Sequence, residues 1–142
     1  WLSKLGIPGL DTLLVIAPLG ILFTVFSTVG VVNAFNLIDG LNGLSSYVTI
    51  STAISLSLIA FKLQDAQITT LLVLLVAAVL GFLVLNFPMG KIFLGDGGAY
   101  TLGHLLVWSA ILLFTQGSEI SSFAILLILR IALTNSPRNI PF

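Results

Sequence analysis

A glycine-rich polar stretch, NFPMGKIFLGDGG (residues 86–98), holds the residue of this chain best suited to chemistry, Asp96. Pro88 has no backbone N–H and biases the residue before it away from helix, so we expect the preceding helix to end near Asn86. An apolar run starts at Ala99, which places Asp96 just before a predicted helix N-terminus. Such an N-terminus favours phosphate, and a neighbouring carboxylate could hold Mg²⁺ together with substrate phosphates. The alternative is a connecting turn in which Asp96 only caps the helix.

A second polar stretch, NAFNLIDGLNGL (residues 33–44), is predicted as a loop and places polar side chains at intervals of three residues. These side chains are Asn33, Asn36, Asp39 and Asn42. Wherever the stretch is helical, side chains three apart share a face, which makes a stripe of amides with one carboxylate. Amides suit sugar hydroxyls, a base edge or phosphate oxygens. The alternative is a plain turn between helices, since Asn, Asp and Gly are the usual turn residues.

The composition is typical of an integral membrane protein. Hydrophobic residues make up 58% of the chain and charged residues 7%, and the mean hydropathy is +1.20, whereas a soluble domain carries roughly a quarter charged residues. Five basic and five acidic groups cancel, so no net field recruits nucleic acid. The chain has no cysteine, which excludes disulfides and thiolate metal sites. Because it starts at Trp1 without an initiator Met or signal sequence, we expect residues 1–142 to be a single membrane domain of a longer polypeptide.

The apolar runs predict an all-α fold, a polytopic transmembrane helix bundle with about five spans. A bilayer core needs about 20 residues of helix. The runs cover residues 12–32, 44–61, 68–85, 99–115 and 120–133. Pro18 lies inside the first run, where a membrane helix can tolerate it. The second run is rich in Ser and Thr, so we expect it inside the bundle. Arg130 interrupts the last run, and the tail after it is polar with two prolines, which is typical of a loop.

Two predicted spans separate the two polar stretches, so both should face the same compartment. The basic residues on that side are Lys91, Arg130 and Arg138, and those on the other side are Lys4 and Lys62. Basic residues are enriched in cytoplasmic loops. The small excess therefore favours a cytoplasmic position for both polar stretches.

The two motifs together resemble the polyprenyl-phosphate N-acetylhexosamine-1-phosphate transferases. NAFNLIDGLNGL is followed about fifty residues later by NFPMGKIFLGDGGAYTLG, and the likeness covers roughly residues 6–128. Residues 130–142 depart from the family. The resemblance implies a multi-pass enzyme of the bacterial inner (plasma) membrane with a cytoplasmic active site. Such enzymes move a sugar-1-phosphate from a UDP-N-acetylhexosamine to undecaprenyl phosphate, release UMP and require Mg²⁺, with Mn²⁺ as a substitute. Expected partners are therefore the UDP-sugar, the lipid phosphate, the membrane and a second copy in a homodimer.

Matched by position, the resemblance gives roles to three residues of the second motif. Asp96 corresponds to the magnesium-binding aspartate and Phe93 to an aromatic residue that stacks on uracil. Asn86 corresponds to an Asn that lines the nucleotide pocket. These assignments make Asp96 both a metal ligand and a catalytic residue.

In the first motif, Asp39 matches a functional carboxylate, and Asn33 and Asn36 match polar residues beside the uridine and the pyrophosphate. Asn42 stands where many members carry a second Asp, so it offers hydrogen bonds without a charge. Two family elements, an upstream Asp-Asp motif and a downstream His-rich loop, are missing from this chain. We therefore expect these 142 residues alone to be inactive.

The sugar and the competing functions stay open in the sequence. The DGLN and GDGGA forms look closer to the enzymes that start surface-polysaccharide or lipopolysaccharide synthesis than to the phospho-N-acetylmuramoyl-pentapeptide transferase of cell wall biogenesis, which is the alternative. Further alternatives are a non-catalytic membrane subunit and an ion path lined by Asp39 and Asp96. Carboxylates of an ion path are expected within the membrane, whereas both are predicted at the ends of spans.

Overall fold

A computed structural model describes residues 1–3, 5, 7 and 9–116, which form helices joined by short turns. The helices are α1 (Leu10–Leu14), α2 (Ala17–Ile38), α3 (Leu44–Lys62), α4 (Ala66–Asn86) and α5 (Gly95–Gln116). Helices α2 to α5 are each long and apolar enough to cross a membrane. This confirms the predicted polytopic helical bundle for the described part of the chain. The fifth predicted span (residues 120–133) and the tail lie outside the described residues.

The first span begins later than predicted, because Pro18 opens a helix and does not interrupt one. Helix α2 starts at Ala17 and places Pro18 in its first turn, where the missing N–H has no intrahelical partner to lose. In a continuous helix the proline ring would clash with the carbonyl of Leu14, and α1 ends at that residue. The observed span is therefore residues 17–38 and not the predicted 12–32.

The start of the first motif is helical, which corrects the prediction of a loop from Asn33 onward. Helix α2 continues to Ile38, so Asn33 and Asn36 lie in its last turns. Asp39 is its C-cap residue and keeps helical backbone angles, with φ −72° and ψ −5°. A polar side chain at the end of a membrane helix can reach water, so the asparagines do not stop the helix. The chain turns only in residues 40–43.

Helices α3 and α4 form an antiparallel pair joined by residues 63–65. Asp65 caps α4, because its Oδ1 accepts a hydrogen bond from the Ile68 N–H at 2.9 Å. That bond, and then one with the Gln116 side chain, hold the pKa of the Asp65 carboxyl below its ordinary value. Of the four spanning helices, α3 is the most buried and α4 the least, in keeping with the Ser- and Thr-rich composition of α3.

Helix α5 packs along α2 and also contacts α3, so it joins the two halves of the bundle. The approach to α2 is close: a Cβ on Gly103 would lie 3.1 Å from both the Phe35 Cβ and the Val32 Cα. Asn36 contacts Tyr100 while Phe35 faces Gly103, so the two helices run in opposite directions. The C-terminal end of α2 and the N-terminal end of α5 therefore lie at the same end of the bundle.

Candidate active site

The two motifs meet through the side-chain amide of Asn86, the last residue of α4. Its Oδ1 accepts a hydrogen bond from the Gly43 N–H at 2.6 Å, and its Nδ2 donates one to the Ile92 carbonyl at 2.8 Å. Asn86 is only 5% exposed. One buried side chain thus fastens the end of α4 to the turn before α3 and to the segment before α5. Both motifs lie at the same end of the bundle, as the count of spans predicts.

Two glycines let the turns come into contact. Gly43 has a φ of +83°, and a Cβ there would lie 3.0 Å from the Phe87 ring. Gly90 has a φ of +58°, and a Cβ there would lie 2.8 Å from the Asn42 side chain. Both the backbone angle and the close neighbour therefore favour glycine at each position. The Phe87 ring also contacts the Tyr47 ring edge to face, with the ring centroids 6.0 Å apart.

The two carboxylates predicted to be functional lie at this end of the bundle, on neighbouring helices. Asp39 ends α2, and Asp96 lies in the first turn of α5, which starts at Gly95. The sequence predicts that helix start at residue 99, where the apolar run begins, because the glycines before it are typical of a loop. One turn along each helix from the carboxylates, the Asn36 Nδ2 donates a hydrogen bond to the Tyr100 Oη at 3.2 Å. This contact holds the ends of α2 and α5 side by side.

The two carboxylates have different surroundings. Asp39 is half-buried, and its Oδ1 accepts a hydrogen bond from the Ser45 hydroxyl at 2.6 Å. Asp96 is exposed, and no side-chain hydrogen bond or ion pair involves it among the described residues. Its carboxylate therefore makes no capping bond within that part of the chain. The Asp96 carboxylate, in the first turn of α5, is therefore available to bind a cation.

The described residues suit a magnesium ion that is shared with a substrate. They contain no group of three or more His, Cys, Asp or Glu side chains that could hold a metal without other ligands. Mg²⁺ commonly takes one or two protein carboxylates and completes its shell with water and substrate phosphates. Two carboxylate groups have the chemistry that such a site needs. They are Asp96, which has no side-chain hydrogen bond or ion pair among the described residues, and the second carboxylate oxygen of Asp39.

Three further predicted site residues, Phe93, Asn42 and Asn33, are all exposed but lie at different places in the bundle. Phe93 is 74% exposed, in the irregular segment before α5, so its ring is available for stacking. Asn42 is also exposed, beside Gly90. Asn33 lies roughly 9 Å along α2 from Asp39, as the helical rise dictates. It lines a groove of about 450 Å³ between α2 and α5 and does not lie in the turns themselves.

Three residues of this region have contacts that the sequence reasoning missed. Ser45 contacts Asp39, Tyr100 contacts Asn36, and Phe87 packs on Gly43. The spacing of Tyr100, four residues after Asp96, could have indicated a shared helix face. Ser45 was only one of many hydroxyl residues in α3, and the local sequence holds no signal for the Phe87 contact.

The comparisons with known proteins show the family. The family described as Glycosyl transferase family 4 matches residues 1–114. The chain belongs to glycosyl transferase family 4. This confirms the resemblance carried by the two motifs, since that family includes the polyprenyl-phosphate sugar-phosphate transferases. No solved structure matches the chain.

Several curated relatives of this chain are named phospho-N-acetylmuramoyl-pentapeptide-transferase. The protein of Streptococcus thermophilus (strain CNRZ 1066) is 40% identical over 86 residues, which cover 61% of this chain and 25% of that protein. The protein of Staphylococcus carnosus is 34% identical over 118 residues, covering 83% and 37%. That of Clostridium beijerinckii is 38% identical over 98 residues, covering 67% and 30%. The chain thus spans between a quarter and just over a third of the length of these relatives.

The names of these relatives favour the alternative over the main sequence-based prediction of the sugar. The motif forms predict a surface-polysaccharide enzyme, whereas these similar proteins are named for the muramoyl-pentapeptide. The names of the similar proteins are therefore a stronger guide to the sugar than the motif forms.

Proposed function

We propose that the complete protein transfers phospho-N-acetylmuramoyl-pentapeptide from its UDP carrier to a polyprenyl phosphate, at the cytoplasmic face of a bacterial plasma membrane. The observation that carries this proposal is the joining of the two motifs by Asn86, at the end of the bundle where Asp39 and Asp96 lie on neighbouring helices. The names of the relatives support the choice of sugar.

The proposed reaction brings two anions together. A phosphate oxygen of the lipid attacks the β-phosphorus of the UDP-sugar, the bond from that phosphorus to the bridging oxygen breaks, and UMP leaves with the bridging oxygen. Catalysis of such a transfer depends mainly on positioning and on neutralising charge. When bound, Mg²⁺ would supply positive charge at the pyrophosphate, with Asp96 and Asp39 as its protein ligands.

The other residues would bind and orient the donor. The exposed ring of Phe93 would stack on the uracil. The exposed amide of Asn42 can donate to a phosphate or sugar oxygen, and the side chain of Asn36 presents a second polar group one turn from Asp39. Lys91 is exposed in the segment before α5, near Phe93, and would add a positive charge near the anions. Asn86 would shape the nucleotide pocket through the two segments that its amide joins.

A second candidate is the transfer of an N-acetylhexosamine-1-phosphate, such as N-acetylglucosamine-1-phosphate, and the DGLN and GDGGA forms of the motifs favour it. The ion-path alternative fits less well. A path across the membrane needs polar groups near its middle, whereas Asp39 and Asp96 lie at helix ends.

The test measures UMP release by the complete protein in membranes that contain polyprenyl phosphate. UDP-N-acetylmuramoyl-pentapeptide and UDP-N-acetylglucosamine are supplied separately, each with and without the lipid phosphate. Lipid-dependent release from the first donor supports the proposal, and release from the second alone supports the second candidate. If neither donor yields UMP while the protein is folded in the membrane, the proposed function is wrong.

A further inference from the structure

The hydroxyl of Ser45 is committed to one of the two functional carboxylates. Ser45 is the second residue of α3 and is only 1% exposed. Its Oγ donates a hydrogen bond to the Asp39 Oδ1 at 2.6 Å. Hydrogen bonds to an ionised carboxylate are shorter and stronger than neutral ones. This contact therefore links the start of α3 directly to the carboxylate at the end of α2.

The contact is not a general property of a helix rich in Ser and Thr. Other hydroxyls of α3 donate to carbonyls of their own helix, which is the usual arrangement for Ser and Thr inside a helix. They are Thr49 to Ser45 at 2.7 Å, Ser51 to Val48 at 3.1 Å, Ser55 to Ser51 at 2.9 Å and Ser57 to Ile54 at 2.8 Å. The neighbouring Ser46 is fully buried, and its hydroxyl has no hydrogen-bond partner among the described residues. Ser45 instead reaches across to another helix.

The consequence for Asp39 is a fixed orientation. The terminal torsion of an aspartate is broad, so a half-buried carboxylate without a partner can rotate. A donor held on the first turn of a buried helix restricts that rotation. With Oδ1 bound to Ser45, the other oxygen, Oδ2, is the one left for a ligand.

We propose that Ser45 is a positioning residue, which orients the Asp39 carboxylate so that Oδ2 faces the cation and phosphates of the substrate. This rests on the proposed function, because it assigns Asp39 a role in that reaction. Ser45 itself touches no substrate. Its removal should change how well Asp39 works without removing the carboxylate.

The test compares three single variants of the complete protein. Ser45→Ala should lower kcat for UMP release by about 10- to 100-fold, the range expected for losing one hydrogen bond to a charged group, and should raise the Mg²⁺ concentration needed for half-maximal rate. Ser46→Ala is the matched control, since it removes a hydroxyl of equal size and burial from the adjacent position, and it should keep the wild-type kcat and Mg²⁺ dependence. Ser45→Thr keeps a hydroxyl and should recover most of the rate.

A double-mutant cycle with Asp39→Ala separates positioning from general packing. If Ser45 acts through Asp39, Ser45→Ala should cost no further rate or thermal stability once Asp39 is gone. An equal loss in both backgrounds, or an equal loss in Ser45→Ala and Ser46→Ala, would overturn the inference. If the wild-type protein is active, either of these two results overturns the role of Ser45 but leaves the proposed function intact. A folded wild type that releases no UMP overturns the proposed function and the role of Asp39 with it, while the stability cycle still reports the Ser45–Asp39 contact.

Discussion

Replacing Asn86 with Ala should loosen the contact between the two motifs. The change removes the acceptor of the Gly43 N–H and the donor to the Ile92 carbonyl, at 2.6 and 2.8 Å. Gly43 is buried, so its N–H would be left without a partner, at a cost of about 1–3 kcal/mol. Ile92 is 37% exposed, so its carbonyl can turn to water and adds less. The expected loss is therefore about 1–3 kcal/mol, mostly from the Gly43 side.

The assay is thermal unfolding of the purified complete protein in detergent, followed by circular dichroism. A loss of that size lowers the Tm by several degrees. Asn86→Asp should cost at least as much as Asn86→Ala at neutral pH, because its carboxylate would be a buried negative charge with one oxygen against the Ile92 carbonyl oxygen, although the other could still accept from the Gly43 N–H. Asn33→Ala is the control, since Asn33 is exposed and its side chain has no hydrogen bond among the described residues. It should change stability by less than about 0.5 kcal/mol. If Asn86→Ala and Asn33→Ala unfold at the same temperature, the joining role of Asn86 is refuted.

Three further predictions concern the charged groups and the topology. Asp96→Asn in the complete protein should lower UMP release by at least ~10²-fold with normal membrane yield, because it removes charge from an electrostatic site; near-normal activity with unchanged Mg²⁺ dependence would make Asp39 the leading metal ligand. In intact cells, a single cysteine that replaces Lys91 should resist an impermeant thiol reagent added outside, and one that replaces Gln64 should react. The reverse labelling pattern would show that the topology is the opposite of the one predicted. The hydrogen bonds that lower the pKa of Asp65 stabilise its ionised form in the folded state. The stability that they contribute to the fold is therefore complete above the ordinary carboxyl pKa and is lost as the pH falls through the lower folded value. Below about pH 4, Asp65→Asn should therefore show a weaker loss of stability than the wild type, measured as Tm against pH.

The sequence was sufficient to predict four of the spans and the common end of the bundle at which the two motifs lie, but not the limits of the helices around the site. The spans can be predicted because long apolar runs are visible in the local composition. The common end of the two motifs then follows from the even number of spans between them. The predictions are wrong where polar or glycine residues indicate a loop, at Asn33 to Ile38 and at Gly95 to Gly98. Both segments are helical in the structure. A helix end at a membrane surface can carry such residues, because their side chains and free N–H groups can reach water.

The contacts within the site could not be predicted, because they join residues far apart in the chain. The Asn86 amide bonds Gly43, 43 positions away, and Asn36 bonds Tyr100, 64 positions away. An isolated sequence shows only that each residue is polar. Whether the side chain is free for a ligand depends on which segment packs against it.

Burial explains why the polar residues of this site should serve two different purposes. A polar group in a buried position is costly unless it is hydrogen-bonded, so Asn86 and Ser45 have their side chains engaged by the protein and have little capacity left for a ligand. Asp96 and Phe93 are exposed, and Asp96 has no side-chain hydrogen bond or ion pair among the described residues, so their capacity is available. It follows that substitutions at Asn86 should disturb stability and activity together, whereas substitutions at Asp96 and Phe93 should lower activity in a protein that remains as stable as the wild type.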